Sequence, residues 1–414
     1  MKNKKTIIYD EKIDFKTELL SEDFDLSAEL DNHEKISKLT TIKYWYSDLN
    51  ANIYKFFVRH PLYGYSFKRI VYGLITLLIA IVLLYAITRA ITPDVKYLPP
   101  NYEKLGFSDK QLDELLVDRM KKFGVYGPFW EQVLNYLKNI TPFIPKKGLI
   151  GAKYGLDPTA PGGWFGNEVY EIRFVYLGVV SSPSIAEEGS DVFKLFKSAM
   201  PYSFAFGSIA ILIANILGIV IGIQQAKKKN RLFDSLFSGA SAFLVALPSL
   251  VIVLAIFIFS VSILGSSGLY NTGTFATKFW PIVTMVIINI PIVASYTRRY
   301  VLEEMTADYV KFTLSKGMST KRAYYLHIFR NSGIRTIRTI PSQIILTVFG
   351  SSILTETQWS IPGMGQYIIK SAGGNDFFVF LGFTVLSSFA TIFASLLSDL
   401  IYVWLDPRIS LTKK

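Results

Sequence analysis

The sequence predicts an all-α polytopic membrane protein with six transmembrane helices and a mixed insertion between the first two, and three observations carry that prediction. Apolar residues make up 50% of the 414 and charged residues only 18%, the mean hydropathy is +0.33, and the apolar residues are bunched into runs of about the 20 needed to cross a hydrocarbon core. Basic residues gather in the loops between alternate runs. A long polar, turn-rich stretch, 94–200, separates the first run from the second.

Composition also excludes several chemistries. There is no Cys, so the chain holds no disulfide framework, thiolate metal site or cysteine nucleophile. The 3 His, at His33, His60 and His327, are too scattered for a metal cluster. The 44 Lys and Arg against 32 Asp and Glu leave a net charge of +12, and because the excess sits in loops it reads as topology rather than as a nucleic-acid surface.

Residues 1–60 are polar, carry both signs of charge and lack an apolar run. They read as a cytosolic tail with no assigned chemistry, not as a secretory signal. The first transmembrane helix falls in 61–93, with the run Ile70 to Ile87 between Lys68 and Arg69 on one side and Arg89, Pro93 and Asp94 on the other. The stretch 94–200 balances 13 basic against 13 acidic residues and carries turn signals at Pro99, Pro100, Pro161, Gly162 and Gly163. A structureless connection of that size is uncommon, so a small folded extracellular insertion domain is expected. The transmembrane core, 201–405, offers Tyr202 to Ile223, Ala240 to Leu264, Phe279 to Tyr296, the shorter Ile340 to Leu354, and Phe377 to Leu397 continuing to about Trp404. Residues 406–414 form a C-terminal tail.

Charge sets the expected orientation. The loop after the second run carries Lys227, Lys228, Lys229 and Arg231, and the loop 297–339 carries nine basic and three acidic residues, whereas Lys278 is the one charge between the third and fourth runs. Both termini and the two basic loops are therefore expected in the cytosol of a multi-pass protein.

Within 297–339, Val301, Met305, Tyr309 and Phe312 recur at spacings that place them on one face of a helix. Gly317 then supplies a turn, and Ser319 or Thr320 caps a second helix through Arg322, Tyr324 and Ile328. The pattern also fits a helix pair lying on lipid headgroups.

The stretch Asp308 to Ser332, DYVKFTLSKGMSTKRAYYLHIFRNS, resembles the cytosolic signature loop of binding-protein-dependent ABC importer permeases, in particular the first permease subunit of the peptide type. Leu354 to Gly365, LTETQWSIPGMG, and Trp404 to Ile409, WLDPRI, are similar to two further motifs of that subfamily, in the same order. Before the turn, Phe312, Thr313, Leu314 and Ser315 replace the family's smaller residues. The resemblance implies an oligopeptide or dipeptide permease of the bacterial cell membrane that forms half of a translocation pore. It further implies a second homologous permease subunit, two cytosolic ATPase subunits and an extracellular substrate-binding protein as partners, with peptide as cargo. Asp308, Tyr309, Val310, Lys316, Gly317, Arg330 and Asn331 are carried over as its ATPase-coupling loop.

No residue reads as a catalyst, and no G-x-x-x-x-G-K-[ST] phosphate loop occurs. The chain is therefore expected to bind no cofactor itself, while ATP and Mg serve the partner ATPases. An ion-coupled secondary transporter, a permease for a non-peptide cargo such as nickel, and a membrane-anchored receptor remain alternatives. The first requires mid-span acidic groups, for which Glu356 and Asp399 are the candidates. Pro248, Pro281 and Pro291 are placed to kink the third and fourth spans.

Overall fold

The computed structural model describes residues 61–98, 102–156 and 164–405. The chain divides into two compact units, 1–67 with 411–414, and 68–410. The expected tails, 1–60 and 406–414, lie outside the described residues, as do Asp406 to Ile409 of the terminal motif.

Helix α1, Pro61–Ile91, contains the first apolar run and exposes a stripe of Ile79, Leu83, Ile87 and Ile91 at four-residue spacing. The insertion follows. Helix α2, Asp109–Phe123, starts where the Ser108 backbone N–H donates to Gln111 Oε1 (2.9 Å) and ends at Gly124, whose φ of +74° places it in the left-handed region that a helix terminus favours. Helix α3, Phe129–Ile140, is amphipathic and starts directly after Pro128. Strands β1, Lys146–Leu156, and β2, Trp164–Arg173, pair antiparallel with Lys146 opposite Arg173 and a bulge between Leu149 and Gly151.

The remaining passages are α4, Val192–Lys227; the pair α5, Leu232–Ala246, and α6, Ser249–Ile258; α7, Phe275–Met305; α9, Thr320–Gln358; and α11, Phe377–Leu405. Two short helices, α8, Asp308–Ser315, and α10, Met364–Gly374, lie between them. Among the described residues five helices are long and apolar enough to cross a membrane, and α5 with α6 makes a sixth passage if the bent pair counts as one. The predicted fold class, an all-α six-helix membrane protein with a mixed insertion after the first helix, is the architecture found among the described residues.

The helices move several of the expected boundaries. The kink expected at Pro248 is present and sharp: the chain bends by 100° between α5 and α6, with Pro248 in the N-cap position of α6, where a missing N–H costs nothing. The two helices expected within 297–339 are found, but they are continuous with the spans: α7 continues to Met305 and α9 runs from Thr320 to Gln358. Charged side chains end an apolar run but do not end a helix, so hydropathy places these boundaries too early. For the same reason the short run Ile340 to Leu354 belongs to a 39-residue helix, interrupted by wider π turns at Tyr324–Ile328 and Thr347–Ser351. The boundary expected at residue 200 falls inside α4.

Packing joins these parts tightly. Gly218 and Gly222 of α4 let α7 approach until a Cβ on Gly222 would lie 2.6 Å from the Ala294 carbonyl oxygen. One apolar core runs without a break from Leu77, Ile81 and Tyr85 of α1 through Tyr97, Phe123 and Tyr136 of the insertion to Phe196 of α4 and Phe377 and Phe378 of α11. The insertion is thus built onto the ends of the spans. Asp376 fastens it, accepting from the Ser181 and Ser182 N–H groups (2.8 Å each) and from Val379 N–H at 3.1 Å.

Candidate functional site

At the end of the spans opposite the insertion, α7, α8 and the start of α9 form an elbow. Helix α7 stops at Thr306, whose N–H reaches back to Glu303 O, and after Ala307 the chain restarts as α8 with Asp308 in its first turn. The single amphipathic helix expected through Val301, Met305, Tyr309 and Phe312 is therefore broken in two. Val301 is buried, but Phe312 is 60% exposed, because the change of direction at Thr306 and Ala307 puts the two halves of the periodic pattern on different helices.

Gly317 ends α8 with a φ of +83°, and its N–H bonds to Leu314 O at 2.9 Å. This is the turn the sequence predicted, in a conformation that costs a residue with a Cβ about 1 kcal/mol. Ser319 takes the N-cap position of α9 without a capping bond from its side chain.

The seven expected residues separate into a held group and an offered group. Val310 is buried in a small core with Ala226, Val301, Tyr324 and Ile328, which fixes α8 against α4, α7 and α9. The Tyr309 hydroxyl donates to Glu304 Oε2 (2.5 Å) and accepts from Asn331 Nδ2 at 3.1 Å. Burial, helped by the Glu304 carboxylate, pushes the Tyr309 phenol up to about 12, so it remains a donor at physiological pH. Asp308, Lys316 and Arg330 are exposed. Asp308 pairs with Lys311 at 2.9 Å, and the Lys316 ammonium sits 4.3 Å from the Phe312 ring centroid. The structure thus brings Tyr309, Val310 and Asn331 together and leaves Asp308, Lys316 and Arg330 on the surface around the turn.

Sequence reasoning missed the residues that brace this elbow. Arg335 on α9 contacts Glu303 (2.7 Å) and Glu304 (3.3 Å) on α7, so Glu304, Tyr309, Asn331 and Arg335 form one network across three helices. Arg298 of α7 makes two bonds of 2.7 Å to the buried Asp234 of α5, a bidentate pair of the strong kind. Lys227, at the end of α4, lies over the rings of Tyr324 and Tyr325 at 4.4 and 4.8 Å. No local spacing signals these contacts, since each joins separate helices.

The motif between α9 and α10 is also knit inward. Glu356 is fully buried and accepts from Ser352 Oγ (2.9 Å) and from the Gly365 N–H (2.7 Å), while Ser203 of α4 receives the Met364 N–H at 2.8 Å. Glycine fits at 363 and 365 because a Cβ at 363 would lie 2.3 Å from a Glu356 carboxylate oxygen and one at 365 would lie 2.5 Å from the Ile353 Cα. Asp399, the other acidic candidate, pairs with Arg69 of α1 at 2.5 Å. Among the described residues no group of acidic or His side chains is arranged to hold a metal ion.

A bundle of membrane passages with a braced elbow at one end and a locked insertion at the other defines a multi-pass membrane protein. Residues 214–411 match the family of binding-protein-dependent transport system inner membrane components. The dipeptide transport system permease protein DppB of Bacillus subtilis is 30% identical over 253 residues, which cover 59% of this chain and 80% of DppB. The chain belongs to this family. The oligopeptide transport system permease protein AmiC of Streptococcus pneumoniae is 32% identical over 221 residues, 53% of this chain but 44% of AmiC, so the match spans less than half of that relative. A solved methionine ABC transporter, MetNI in inward-facing conformations, aligns with 51% of this chain and 97% of its own at 14% identity and a TM-score of 0.43.

Proposed function

We propose that the chain is the permease subunit of an ATP-driven importer for peptides, forming half of a translocation path and taking its energy from cytosolic ATPase subunits that grip the elbow around Gly317. The observation that carries this reading is the contrast within α8. Its inner face is locked to three other helices by Val310 and by the bonds of Tyr309 to Glu304 and Asn331, while Phe312, Leu314 and Lys316 remain exposed. A lever needs both properties, a stiff back that passes force to α7 and α9 and an apolar front with a charged rim that seats in a groove. Peptide as cargo rests on the names of the dipeptide and oligopeptide relatives.

In this reading the chain supplies no nucleotide site and no cofactor, ATP and Mg being bound by the ATPases. The second permease subunit completes the pore, and an extracellular binding protein delivers the cargo. The elbow and both termini then face the cytosol of a bacterial cell and the insertion faces outside, as the basic loops require. Bonds to the polar atoms of Glu356 and the Arg69 partner of Asp399 support structural roles for both carboxylates, which removes the main attraction of an ion-coupled carrier.

Single cysteines test the topology in a chain that has none of its own. Ser182 is buried, so Glu114→Cys is the outward probe, expected to react with an impermeant thiol reagent in intact cells, while Ser319→Cys reacts only after permeabilisation. The reverse pattern overturns the orientation. Purification of the full chain from its own membranes should bring an ATPase with it, and Gly317→Asp should abolish coupled uptake without loss of folded protein. A chain that transports peptide with no ATPase attached refutes the proposal.

A further inference from the structure

Helix α3 lies across the ends of two spans. Tyr85 of α1 packs edge-on to Phe129 (ring centroids 6.0 Å apart) and to Phe377 (4.7 Å), and lies 5.8 Å from Tyr136, which itself packs 6.1 Å from Phe378. The Tyr85 hydroxyl donates to Gln132 Oε1 at 3.3 Å, and Arg89 Nε donates to the same oxygen at 3.2 Å. Tyr85 stands about 9 Å of helix below the end of α1, and Phe377 is the first residue of α11. The inner face of α3, Phe129, Gln132, Val133 and Tyr136, is therefore seated at the level of the last turns of one span and the first turn of another.

That level is the edge of the apolar layer. The stripe Leu83, Ile87 and Ile91 on α1 is 59%, 60% and 63% exposed and runs to the end of the helix, so lipid chains cover α1 up to that height. Arg89 on the same turns bonds inward to Gln132, the Thr92 carbonyl and Asp94. The outer face of α3 meets the same boundary. It carries Trp130 and Leu134, four residues apart and each 63% exposed, followed at the same spacing by the exposed Lys138. Beyond the helix, Phe143 is 87% exposed. In water this face would leave a large ring and a leucine unsheltered. At a headgroup layer each residue has a place: Trp at the interface, Leu among the acyl chains, and Lys reaching along its stem to phosphate.

The geometry points to α3 as an interfacial helix, lying in the headgroup layer of the leaflet at the insertion end with Trp130 and Leu134 inserted at the acyl boundary. Its occupant is phospholipid, and the reason is continuity: the exposed apolar face of α3 is level with the lipid-facing stripe of α1. The inference rests on the spans and not on the proposed cargo, ATPase or orientation. Its consequence is that the height of the insertion above the bilayer is fixed, so whatever binds the rest of the insertion does so at a set distance from the membrane.

The experiment uses the full chain in phosphatidylcholine–phosphatidylglycerol nanodiscs. Leu134→Cys and, separately, Trp130→Cys are labelled with an environment-sensitive fluorophore, and Glu114→Cys on α2 serves as the control. A quencher attached to lipid chains near the carbonyl should quench the labels at 134 and 130 roughly twofold or more, and more strongly than a quencher near the chain terminus, while leaving 114 unchanged. Two labelled sites guard against a single variant that fails to fold, and both positions are open enough to accept cysteine. Equal and weak quenching at 114, 130 and 134 overturns the proposal. So does a label at 134 that is unquenched by lipid but becomes shielded when a purified binding protein is added, because the face then belongs to a protein partner.

Discussion

The two ends of the molecule solve opposite problems. At the insertion end, several charged groups are turned inward and bonded: Asp376 holds three backbone N–H groups, the buried Arg119 is bound to Glu188 and to the Tyr97 carbonyl, and the Lys146 ammonium bonds to the carbonyls of Asn139, Thr141 and Phe174. At the elbow end, the inner side of α8 is equally well bonded, but its outer side offers Phe312, Leu314, Lys316 and Asp308. Charged side chains spent on internal bonds build a fixed platform, whereas those left around an exposed apolar residue form a surface for something else to grip.

Phe312→Asp is the substitution that would break this comparison most visibly. It removes the largest exposed apolar side chain of α8 and touches nothing in the core, so thermal unfolding of the purified chain should be unchanged. If α8 is the grip, ATP-driven uptake should fall on the order of 30-fold or more, the effect of losing about 2 kcal/mol at an interface centre. Unchanged uptake would mean that the exposed front of α8 is ordinary surface.

Asp376→Ala should do the reverse. It strands the N–H groups of Ser181, Ser182 and Val379 in a buried place, and a loss of about 2–3 kcal/mol of stability is expected. Thermal unfolding in detergent reads it directly, and uptake per folded molecule should change little. If uptake fell while stability held, the insertion end would be more than a platform.

How far the sequence could anticipate this comparison depends on the range of the forces involved. The six passages are legible because a lipid core demands long apolar runs whatever the tertiary structure. Gly317 is legible because a turn at positive φ selects for glycine locally. Pro248 marks the place of the bend between α5 and α6, but not its 100° size, since the apolar run continues through Leu247 and Pro248 while the helix does not. The periodicity through Val301 and Phe312 is real as a pattern, yet it crosses a break at Thr306 and Ala307 that no strong breaker residue announces. Glu304 with Arg335 and Asp234 with Arg298 become partners only when helices far apart in sequence are packed together, so nothing in their neighbourhoods marks them.

Tyr309→Phe sharpens the comparison from inside the elbow. With the phenol at about 12, the hydroxyl is a permanent donor to Glu304, and its removal leaves that carboxylate with Arg335 alone. A cost of about 1 kcal/mol is expected, near the net worth of one such bond. If the bond stiffens the lever, uptake should fall several-fold while ATP hydrolysis by the purified complex continues, a loosening of coupling rather than a loss of either activity. Equal losses in both would place Tyr309 in the fold alone.

Asp308→Asn should have the smallest effect, and it separates two reasons for an acidic residue at that place. Asp308 stands in the first turn of α8, where a negative charge suits the helix N-terminus, and its side chain is 96% exposed in the pair with Lys311. The Lys311 hydrogen bond holds the carboxyl below the usual carboxylate range. A depressed carboxyl favours the folded state above its unfolded value and loses that advantage on acidification, but here water screens the pair almost completely. Thermal unfolding of Asp308→Asn should therefore match the parent at neutral and at acid pH. Uptake then decides the matter. A drop with no change in stability assigns Asp308 to the rim of the gripped surface beside Phe312, and unchanged uptake leaves it as a helix-end residue with no part in coupling.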